Sequence, residues 1–343
     1  MSRTIRTMEE FAAFAGLSRQ TVSKYFNDPD SVRLTTRSRI ETAVQASGFQ
    51  PNLHAMNLNR RQSQLLGVVV PHSLDPFYMS ITRRIEQVAT DHGYIAFTLS
   101  SDGRPDLEER AIRTFASMNV AGTIIGPLGA KRRRSPLRAA KLDMPIVAMD
   151  SPLDDATAFV GTDNHASVTL MIEYLCRSGE PPAWFDIAAI NQTAIERRIA
   201  YENAMKALGH EPRWLTLQAC NDWNFESYAY TEASRLFNAG KLPSSTVLCA
   251  NDRLAFGVLS AAWNAGLNVG RGADCDLRVA GHDNHPLSAY ACPPLTTVAQ
   301  DHERIAEIAA ELLFARIEER EPRSSASDRH ILLDGTLVMR ASA

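Results

Sequence analysis

The feature that most limits the fold of this chain is a regular alternation of short apolar runs with helical patterns from residue 65 onward. Each run is rich in β-branched residues and is bounded by turn-forming residues, as is typical of buried strands. The clearest runs are LLGVVVP, YIAFTLS, AGTIIGP, PIVAMD, AWFDIA, TVLCAND and LRVAGHD. Strands that alternate with helices form parallel sheets with helices on both faces. The runs are too many for one compact sheet, so two doubly wound parallel-sheet subdomains are predicted.

Polar side chains gather where these predicted strands end. Asp75 follows the first run, Asp150 the fourth and Asp283 the last, and Asn251 and Asp252 follow TVLC. In doubly wound sheets ligands bind at the carboxyl ends of strands, and charged groups buried there are costly unless they are paired or used. Carboxylates, an amide and aromatic faces suit a polyhydroxylated ligand, because hydroxyls need several fixed hydrogen-bond partners. The strand ends therefore predict a site for a sugar-like molecule.

The first sixty residues show a different pattern, that of short helices packed on one another. Thr7 and Glu10 have the spacing of a capping box, which predicts a first helix from Met8 to Ala15. Phe11, Phe14 and Ala15 recur at helical intervals within it, which supports the same helix.

Two further helices are predicted after short turns. Ser18 is a good N-cap for a second helix from Arg19 to about Phe26. A third helix is predicted from about Thr35 to Ser47. Two helices joined by a short turn, with polar side chains at the start of the second, form a helix-turn-helix arrangement. Residues 1–61 hold nine Arg or Lys and five Asp or Glu, a net charge of +4, and the remainder carries −7, so the head is expected to meet a polyanion.

The exposed face of the second helix predicts contacts with double-stranded DNA. The side chains that can reach base edges in the major groove are Arg19, Gln20 and Lys24. Arg and Lys suit the acceptors of guanine, and Gln suits the edge of adenine. The side chains better placed for phosphate oxygens are Ser18, Thr21, Asn27 and Thr36. On helix geometry alone, a solvated face on a small helical bundle is a nearly equal interpretation.

The motifs of the head resemble those of the LacI/GalR family of bacterial transcription regulators. The matching stretches are GLSRQTVSKYFND and TTRSRIETAVQASGFQPNLHAMNL. The resemblance implies a lambda-repressor-like, all-α head over residues 1–61, with a hinge helix at about 51–59 that folds when two copies meet in the minor groove. It also implies that Leu58, with Asn52 and Ala55 beside it, enters the groove as an apolar wedge. The alternative is that Leu58 is an ordinary linker residue.

The resemblance continues through the rest of the chain. DPFY, VAGTIIG, CANDRLAFGVLSAAWNAGLNVG, VAGHDN and PPLTTVAQD are similar to motifs of the periplasmic-binding-protein-like core of the same family. The body then spans 62–343, with an N-subdomain of about 62–161 and 297–328 and a C-subdomain of about 162–296 and 329–343. The effector-binding residues implied by the resemblance are Phe77, Asp150, Arg197, Trp223, Asn251 and Asp283.

Two of these implied roles are more specific. Arg197, preferred over Arg198, would hold ligand hydroxyls or a carboxylate together with Asp283, and Trp223 would stack on the ligand. The run GEPPAWFDIAAINQ departs from the family pattern near the pocket, which leaves the ligand class open.

The sequence lacks motifs that several other classes of protein require. The five cysteines lack a C-x-x-C pair and are interpreted as buried apolar residues, not zinc ligands or disulfides. A glycine-rich phosphate turn, a G-x-S-x-G motif and a metal-spaced His pair are all missing, and His282 and Asp283 are expected on opposite faces of a strand. The prediction is therefore no enzyme, no cofactor and no bound metal. The basic run at 131–134 is interpreted as a solvated loop.

These observations predict a ligand-responsive transcription regulator, and the resemblance to the LacI/GalR family implies that it is a repressor. It would act as a homodimer on a palindromic DNA operator, and whether the effector is an inducer or a corepressor stays open. No apolar stretch approaches a membrane span and no export signal is found, so a cytoplasmic, nucleoid-associated protein is expected. An imported-solute binding protein would need a signal peptide. The remaining alternative is a cytosolic small-molecule-binding protein with the same body fold and no regulatory role.

Overall fold

The computed structural model describes residues 5–51, 63–128, 144–154, 157–187, 191–218, 223–318 and 330–343. The chain divides into two compact units, the head Met1–Gln64 and the body Leu65–Ala343. None of the described helices combines the length and the hydrophobicity that a bilayer crossing requires.

Several predictions from the sequence fall outside the described residues. In the predicted hinge helix these are Asn52, Ala55 and Leu58. The basic run at 131–134 and Cys220 also lie outside them.

The head contains the three predicted helices, α1 (Met8–Ala15), α2 (Arg19–Asn27) and α3 (Leu34–Ser47). The capping box at the start of α1 is present, because the Glu10 backbone N–H donates to Thr7 Oγ1 at 3.1 Å and the Glu10 carboxylate accepts from the Thr7 backbone N–H. Ser18 caps α2 through its Oγ, which accepts from the Thr21 backbone N–H at 3.1 Å. Local hydrogen bonds of this kind satisfy the backbone donors that a helix start leaves open, which is why the helix starts were predictable.

The core of the head is small and centred on aromatic rings. Phe11 stacks on Phe49 with 4.6 Å between ring centroids, and Val22 and Ile40 are fully buried beside them. Phe14, which recurs at helical spacing with Phe11 and Ala15, does not share their burial and is 53% exposed. The buried stripe of α1 runs through Phe11, Ala12 and Ala15, and at 100° per residue Phe14 falls outside it.

The body contains two parallel sheets, as predicted. The larger sheet has the order β11-β5-β4-β3-β1-β2 and the smaller has the order β7-β6-β8-β9. The strands of the larger sheet are β1 (Leu65–Val70), β2 (Ile95–Ser100), β3 (Gly122–Ile125), β4 (Ile146–Met149), β5 (Ala158–Thr162) and β11 (His330–Leu333). The strands of the smaller sheet are β6 (Ala183–Phe185), β7 (Arg213–Trp214), β8 (Thr246–Cys249) and β9 (Arg278–Ala280). The remaining two strands, β10 (Thr297–Ala299) and β12 (Thr336–Val338), pair antiparallel with each other.

Helices cover both faces of the larger sheet. The described helices of the body are α4 (Pro76–Asp91), α5 (Pro105–Ser117), α6 (Asn164–Ser178), α7 (Gln192–Ala207), α8 (Phe225–Asn238), α9 (Asp252–Asn264) and α10 (His302–Ile317). Side chains of β1 alternate between two cores: Leu66 and Val68 pack with residues of α4 and α10, and Leu65 and Val69 pack with residues of α5. This arrangement explains why the strands are apolar throughout and do not alternate with polar residues.

Two subdomain boundaries differ from the prediction. Residues 297–328 were assigned to the N-subdomain, but β10 pairs with β12 and bridges to the C-subdomain at Asp283. Residues 329–343 were assigned as a whole to the C-subdomain, but β11 pairs in parallel with β5 and belongs to the larger sheet. The reason is that the apolar run ILLDGTLVM contains two short strands separated by Asp334 and Gly335, and only the second leaves the larger sheet. A strand that follows a helix adds readily to the open edge of a parallel sheet.

The cysteines are less uniformly buried than predicted. Cys249 is buried, Cys176 and Cys275 are half-buried, and Cys292 is exposed. Each of these four carries a free thiol.

Candidate functional site

The start of α2 presents polar side chains on the surface of the head. Arg19, Gln20 and Lys24 are all exposed. The Arg19 Nε atom forms an ion pair with Glu9 Oε1 at 2.6 Å. This contact holds the Arg19 side chain against α1 by its Nε edge, so the end of the guanidinium stays available to a partner.

The residues predicted to contact phosphates lie at the start and end of α2 and at the start of α3. Ser18 and Thr21 hydrogen-bond to each other through their hydroxyls at 2.8 Å. Asn27 is the last residue of α2, and Thr36 is half-buried in the first turn of α3. Arg33 occupies the N-cap of α3 and makes no side-chain capping bond, so it is exposed beside the open N-terminus of that helix. Helix N-termini and cations both attract anions.

All six residues predicted for the effector pocket line one cavity in the body. The cavity contains about 470 Å³ of space free of protein atoms, including the part that opens to solvent. The predicted residues are Phe77, Asp150, Arg197, Trp223, Asn251 and Asp283. Asp150 follows β4, Asn251 follows β8 and Asp283 lies shortly after β9, so the carboxyl ends of strands from both sheets supply the lining.

Asp150 is a buried carboxylate held by one neighbour. Its Oδ2 atom accepts a hydrogen bond from the Tyr78 hydroxyl at 2.6 Å. Burial raises the pKa of Asp150 to about 6, against the lowering effects of the Tyr78 hydrogen bond and of Arg197. The backbone of Asp150 has a φ of +63°, in the left-handed region that few residues other than Gly, Asn and Asp adopt.

Asp283 and Arg197 form a second buried group on the cavity wall. Arg197 Nη1 lies 3.0 Å from Asp283 Oδ1, and Arg197 also donates to Asn164 Oδ1 and to the Ala250 carbonyl, each at 2.9 Å. Gln300 donates to the same Asp283 oxygen at 2.7 Å. Burial acts to raise the pKa of Asp283, but the Arg197 charge and these hydrogen bonds outweigh it and the pKa is lowered. Asp283 is therefore ionised at neutral pH.

The prediction that His282 and Asp283 point to opposite faces is wrong. His282 Nδ1 lies 3.1 Å from Asp283 Oδ1, because β9 already ends at Ala280 and Asp283 has a φ of +116°. Burial lowers the pKa of His282 to about 4, so the ring is neutral, donates to Asp283 through Nδ1 and accepts from the Ser167 hydroxyl at 3.0 Å. Ser167 is 1% exposed and is not part of the cavity wall, so this chain of hydrogen bonds leads into the body and not to a bound molecule.

Arg253 connects the two subdomains beside the cavity. Its Nη1 atom lies 3.2 Å from Asp75 Oδ2 of the N-subdomain, and its Nε and Nη2 atoms bond Glu226 of the C-subdomain, each at 2.7 Å. The guanidinium also lies over the Phe225 ring, 4.9 Å from its centroid. Because Arg253 is nearly buried, these contacts stabilise the packing of the two subdomains against each other more than a surface ion pair would.

The cavity has an aromatic wall. Phe77 contacts Tyr78 with 5.2 Å between ring centroids, Tyr78 lies 6.5 Å from Trp223, and Trp223 lies 5.4 Å from Phe225. Trp223 also stacks on His72 with nearly parallel rings. Trp223, the residue predicted to stack on the ligand, is therefore held in place by rings from both subdomains.

Sequence reasoning missed several residues of the cavity wall. They are Tyr78, Ile187, Asn191, Thr193, Ala194, Phe225, Ala250 and Gln300, whereas Asp75, which also lines the wall, was predicted from its position at a strand end. Asp75, Tyr78 and Gln300 lie within the quoted motifs DPFY and PPLTTVAQD, so a signal was present for them. Asn191 caps α7 and also lines the cavity. Its local sequence predicts the cap but gives no sign of the second role.

Within the described ranges, no group of three or more His, Cys, Asp or Glu side chains is arranged to hold a metal ion. What the cavity offers is fixed hydrogen-bond donors and acceptors, charge and aromatic faces. Such a set binds and orients a small polar molecule.

Comparisons with known proteins match both units. Residues 7–52 match the family model "Bacterial regulatory proteins, lacI family", and residues 186–343 match "Periplasmic binding protein-like domain". The HTH-type transcriptional repressor CytR of Escherichia coli (strain K12) is 28% identical over 99% of this chain and 96% of its own length. The HTH-type transcriptional repressor PurR of Histophilus somni (strain 129Pt) is 27% identical over 92% and 93%. The solved structure of a lac repressor dimer bound to operator and the anti-inducer ONPF has a TM-score of 0.83, with 24% identity and 99% of each chain covered.

Proposed function

Because this chain belongs to the LacI family of bacterial regulatory proteins, we propose that it is a sequence-specific transcription repressor controlled by a small-molecule effector. The observation that carries the proposal is the exposed polar start of α2 in a helix-turn-helix head. Arg19, Gln20 and Lys24 read base edges, and Ser18, Thr21, Asn27 and Thr36 contact phosphates. The protein acts in the cytoplasm.

The effector, a sugar or a sugar derivative, binds in the body cavity between the two subdomains. This assignment is supported by the six predicted residues that line the cavity and by its aromatic wall. A ligand changes operator affinity only by binding two arrangements of the body with different affinities. Arg253 supplies one contact that differs between such arrangements, since opening the subdomains separates it from Asp75.

The repressor is a homodimer on a palindromic operator, and two heads bind two half-sites. Support comes from large apolar side chains that the body leaves exposed. Trp263 is 79% exposed, Tyr290 81% and Leu287 59%. A second copy of the chain could bury such side chains, and the solved lac repressor to which this chain is similar is a dimer bound to operator.

Arg19→Ala tests direct base reading. The variant is expected to lose about 1–3 kcal/mol of discrimination at one base pair of each half-site, because a bidentate Arg contact with guanine is lost. The measurement is selection from a randomised duplex pool with the full-length chain, followed by titration of single-base operator variants. Arg33→Ala is the matched control: it removes one exposed head cation outside α2 and should leave base preference unchanged. Equal preference in the Arg19 variant and the parent would contradict direct reading.

Leu58→Ala tests the hinge wedge. The variant is expected to bind the operator about tenfold more weakly and to bend it less, because no side chain supports the unstacked base step. A circular-permutation assay measures the bend, and thermal unfolding should show an unchanged body. Leu34→Ala removes an exposed leucine of the head and serves as the control. An unaltered bend angle in the Leu58 variant would favour the linker interpretation.

A further inference from the structure

The cavity of the body holds more negative than positive charge. The carboxylates that line it are Asp75, Asp150 and Asp283. Among the described lining residues, Arg197 is the one side chain with a permanent positive charge. Arg253 lies behind the wall and is shared between Asp75 and Glu226, so it balances one carboxylate outside the lining set. With all carboxylates ionised, the cavity carries an excess of two negative charges.

Asp150 is the lining carboxylate that forms no direct ion pair with a Lys or Arg of the described residues, although the charge of Arg197 lowers its pKa. Asp75 lies 3.2 Å from Arg253 and Asp283 lies 3.0 Å from Arg197, whereas Asp150 has the neutral Tyr78 hydroxyl as its hydrogen-bond donor. Within the described part of the chain, no Lys or Arg forms an ion pair with Asp150. An ionised carboxylate buried in this position lowers the stability of the fold, and a bound cation would offset that loss. The same burial raises the pKa of Asp150.

Tyr78, which donates to Asp150, belongs to a series of aromatic rings that suits a cation as well. Phe77, Tyr78, Trp223 and Phe225 form a continuous series of ring contacts along the cavity wall. Faces of aromatic rings attract ammonium and guanidinium groups, and Phe225 already carries the Arg253 guanidinium on one face. An apolar ligand would use these rings too, but it would leave the carboxylate charge uncompensated.

We propose that the effector is a small polyhydroxylated amine of the amino-sugar class, whose ammonium group binds Asp150 beside the aromatic wall. This inference rests on the proposed function of the cavity as the effector site. The ligand hydroxyls bind Arg197 Nη2 and Asp283 Oδ2, because the hydrogen bonds of the described residues use the other ends of these two groups. A neutral sugar satisfies the hydrogen bonds but does not neutralise Asp150. A sugar acid raises the excess of negative charge in the cavity from two to three.

The test compares ligands that share one carbon skeleton. Glucosamine, galactosamine and mannosamine are titrated into the full-length chain at neutral pH, each beside its parent hexose, its N-acetyl derivative and the corresponding uronic acid. Thermal shift reports binding, and the anisotropy of a labelled operator duplex reports regulation. At least one amino sugar is expected to bind about tenfold more tightly than its three uncharged or acidic counterparts and to alter operator affinity.

Asp150→Asn isolates the charge from the shape. Asn keeps an acceptor for the Tyr78 hydroxyl and tolerates the positive φ, so the fold should persist while the preference for the amine is lost. Asp106→Asn, at an exposed carboxylate outside the cavity, should keep the preference. Tighter binding of a hexose, an N-acetyl sugar or a uronic acid overturns the inference, and so does the absence of a response to all three amines. Operator binding in the same samples, measured both without sugar and with each sugar, tests the proposed function separately.

Discussion

Arg197→Met is expected to lower the free energy of unfolding of the body by about 3–5 kcal/mol and to abolish the response to effector. Arg197 is almost fully buried and holds Asp283, Asn164 and the Ala250 carbonyl at once. Met fills a similar volume but supplies no donor, so Asp283 loses its cation and two buried acceptors lose their partner. Breaking one side of a buried ion pair is costly because the remaining charge stays buried.

The next residue in the chain provides the control for Arg197. Arg198 pairs with Asp186 at 2.8 Å, but its side chain is 56% exposed, and it does not line the cavity. Arg198→Met should therefore change the free energy of unfolding by no more than about 1 kcal/mol. Urea unfolding of both full-length variants at neutral pH makes the comparison. Equal losses in the two variants would mean that Arg197 does not hold the cavity wall together.

Asp150→Asn is expected to have the opposite sign and to stabilise the protein by up to about 3 kcal/mol at pH 7. The groups that face Asp150 are Tyr78, Arg197, Asp283 and Asp75. The folded chain takes up a proton at Asp150 at a pH of about 6, and the unfolded chain does so near 3.8. Between these values the folded state binds more protons, so the contribution of Asp150 to stability is lost as pH rises and is fully lost above about 6.

Unfolding of parent and variant at two pH values tests this prediction. The two proteins should differ most at pH 7, and most of the gain should disappear near pH 4, where the carboxyl of the folded parent is protonated and that of the unfolded parent is partly protonated. Asp106→Asn is the control, since its pKa is lowered by Arg104 and its replacement should bring no gain. A variant that is less stable than the parent at pH 7 would show that the Asp150 charge is compensated within the fold.

The two expected results describe one compromise between stability and binding. Arg197 supplies a cation that stabilises Asp283, and Asp150 keeps a charge that the fold compensates only in part. Replacing Asp150 should thus gain stability and lose the proposed amine preference together. Binding sites are commonly less stable than the same fold could be, because an unpaired group is what a ligand recognises.

The local parts of the structure were predictable from the sequence. The bounds of α1 and the start of α2 follow from Thr7, Glu10 and Ser18, whose capping bonds span no more than three residues. The seven quoted apolar runs correspond to seven of the twelve described strands, and the runs do not include β5, β7, β10, β11 and β12. Helical and strand periodicity alone indicated two parallel sheets.

The contacts that define the cavity were decided by the tertiary structure. The ion pair between Asp75 and Arg253 joins residues that are 178 positions apart in the sequence. The hydrogen bond between Tyr78 and Asp150 joins residues that are 72 positions apart. The pairing of His282 with Asp283 depends on a single backbone torsion that departs from a strand. The sequence by itself determined which segments are helices and strands, since those preferences arise within a few neighbouring residues. Only the folded chain decided which buried charges are paired, because that depends on which strand ends and helix starts of the two sheets come together.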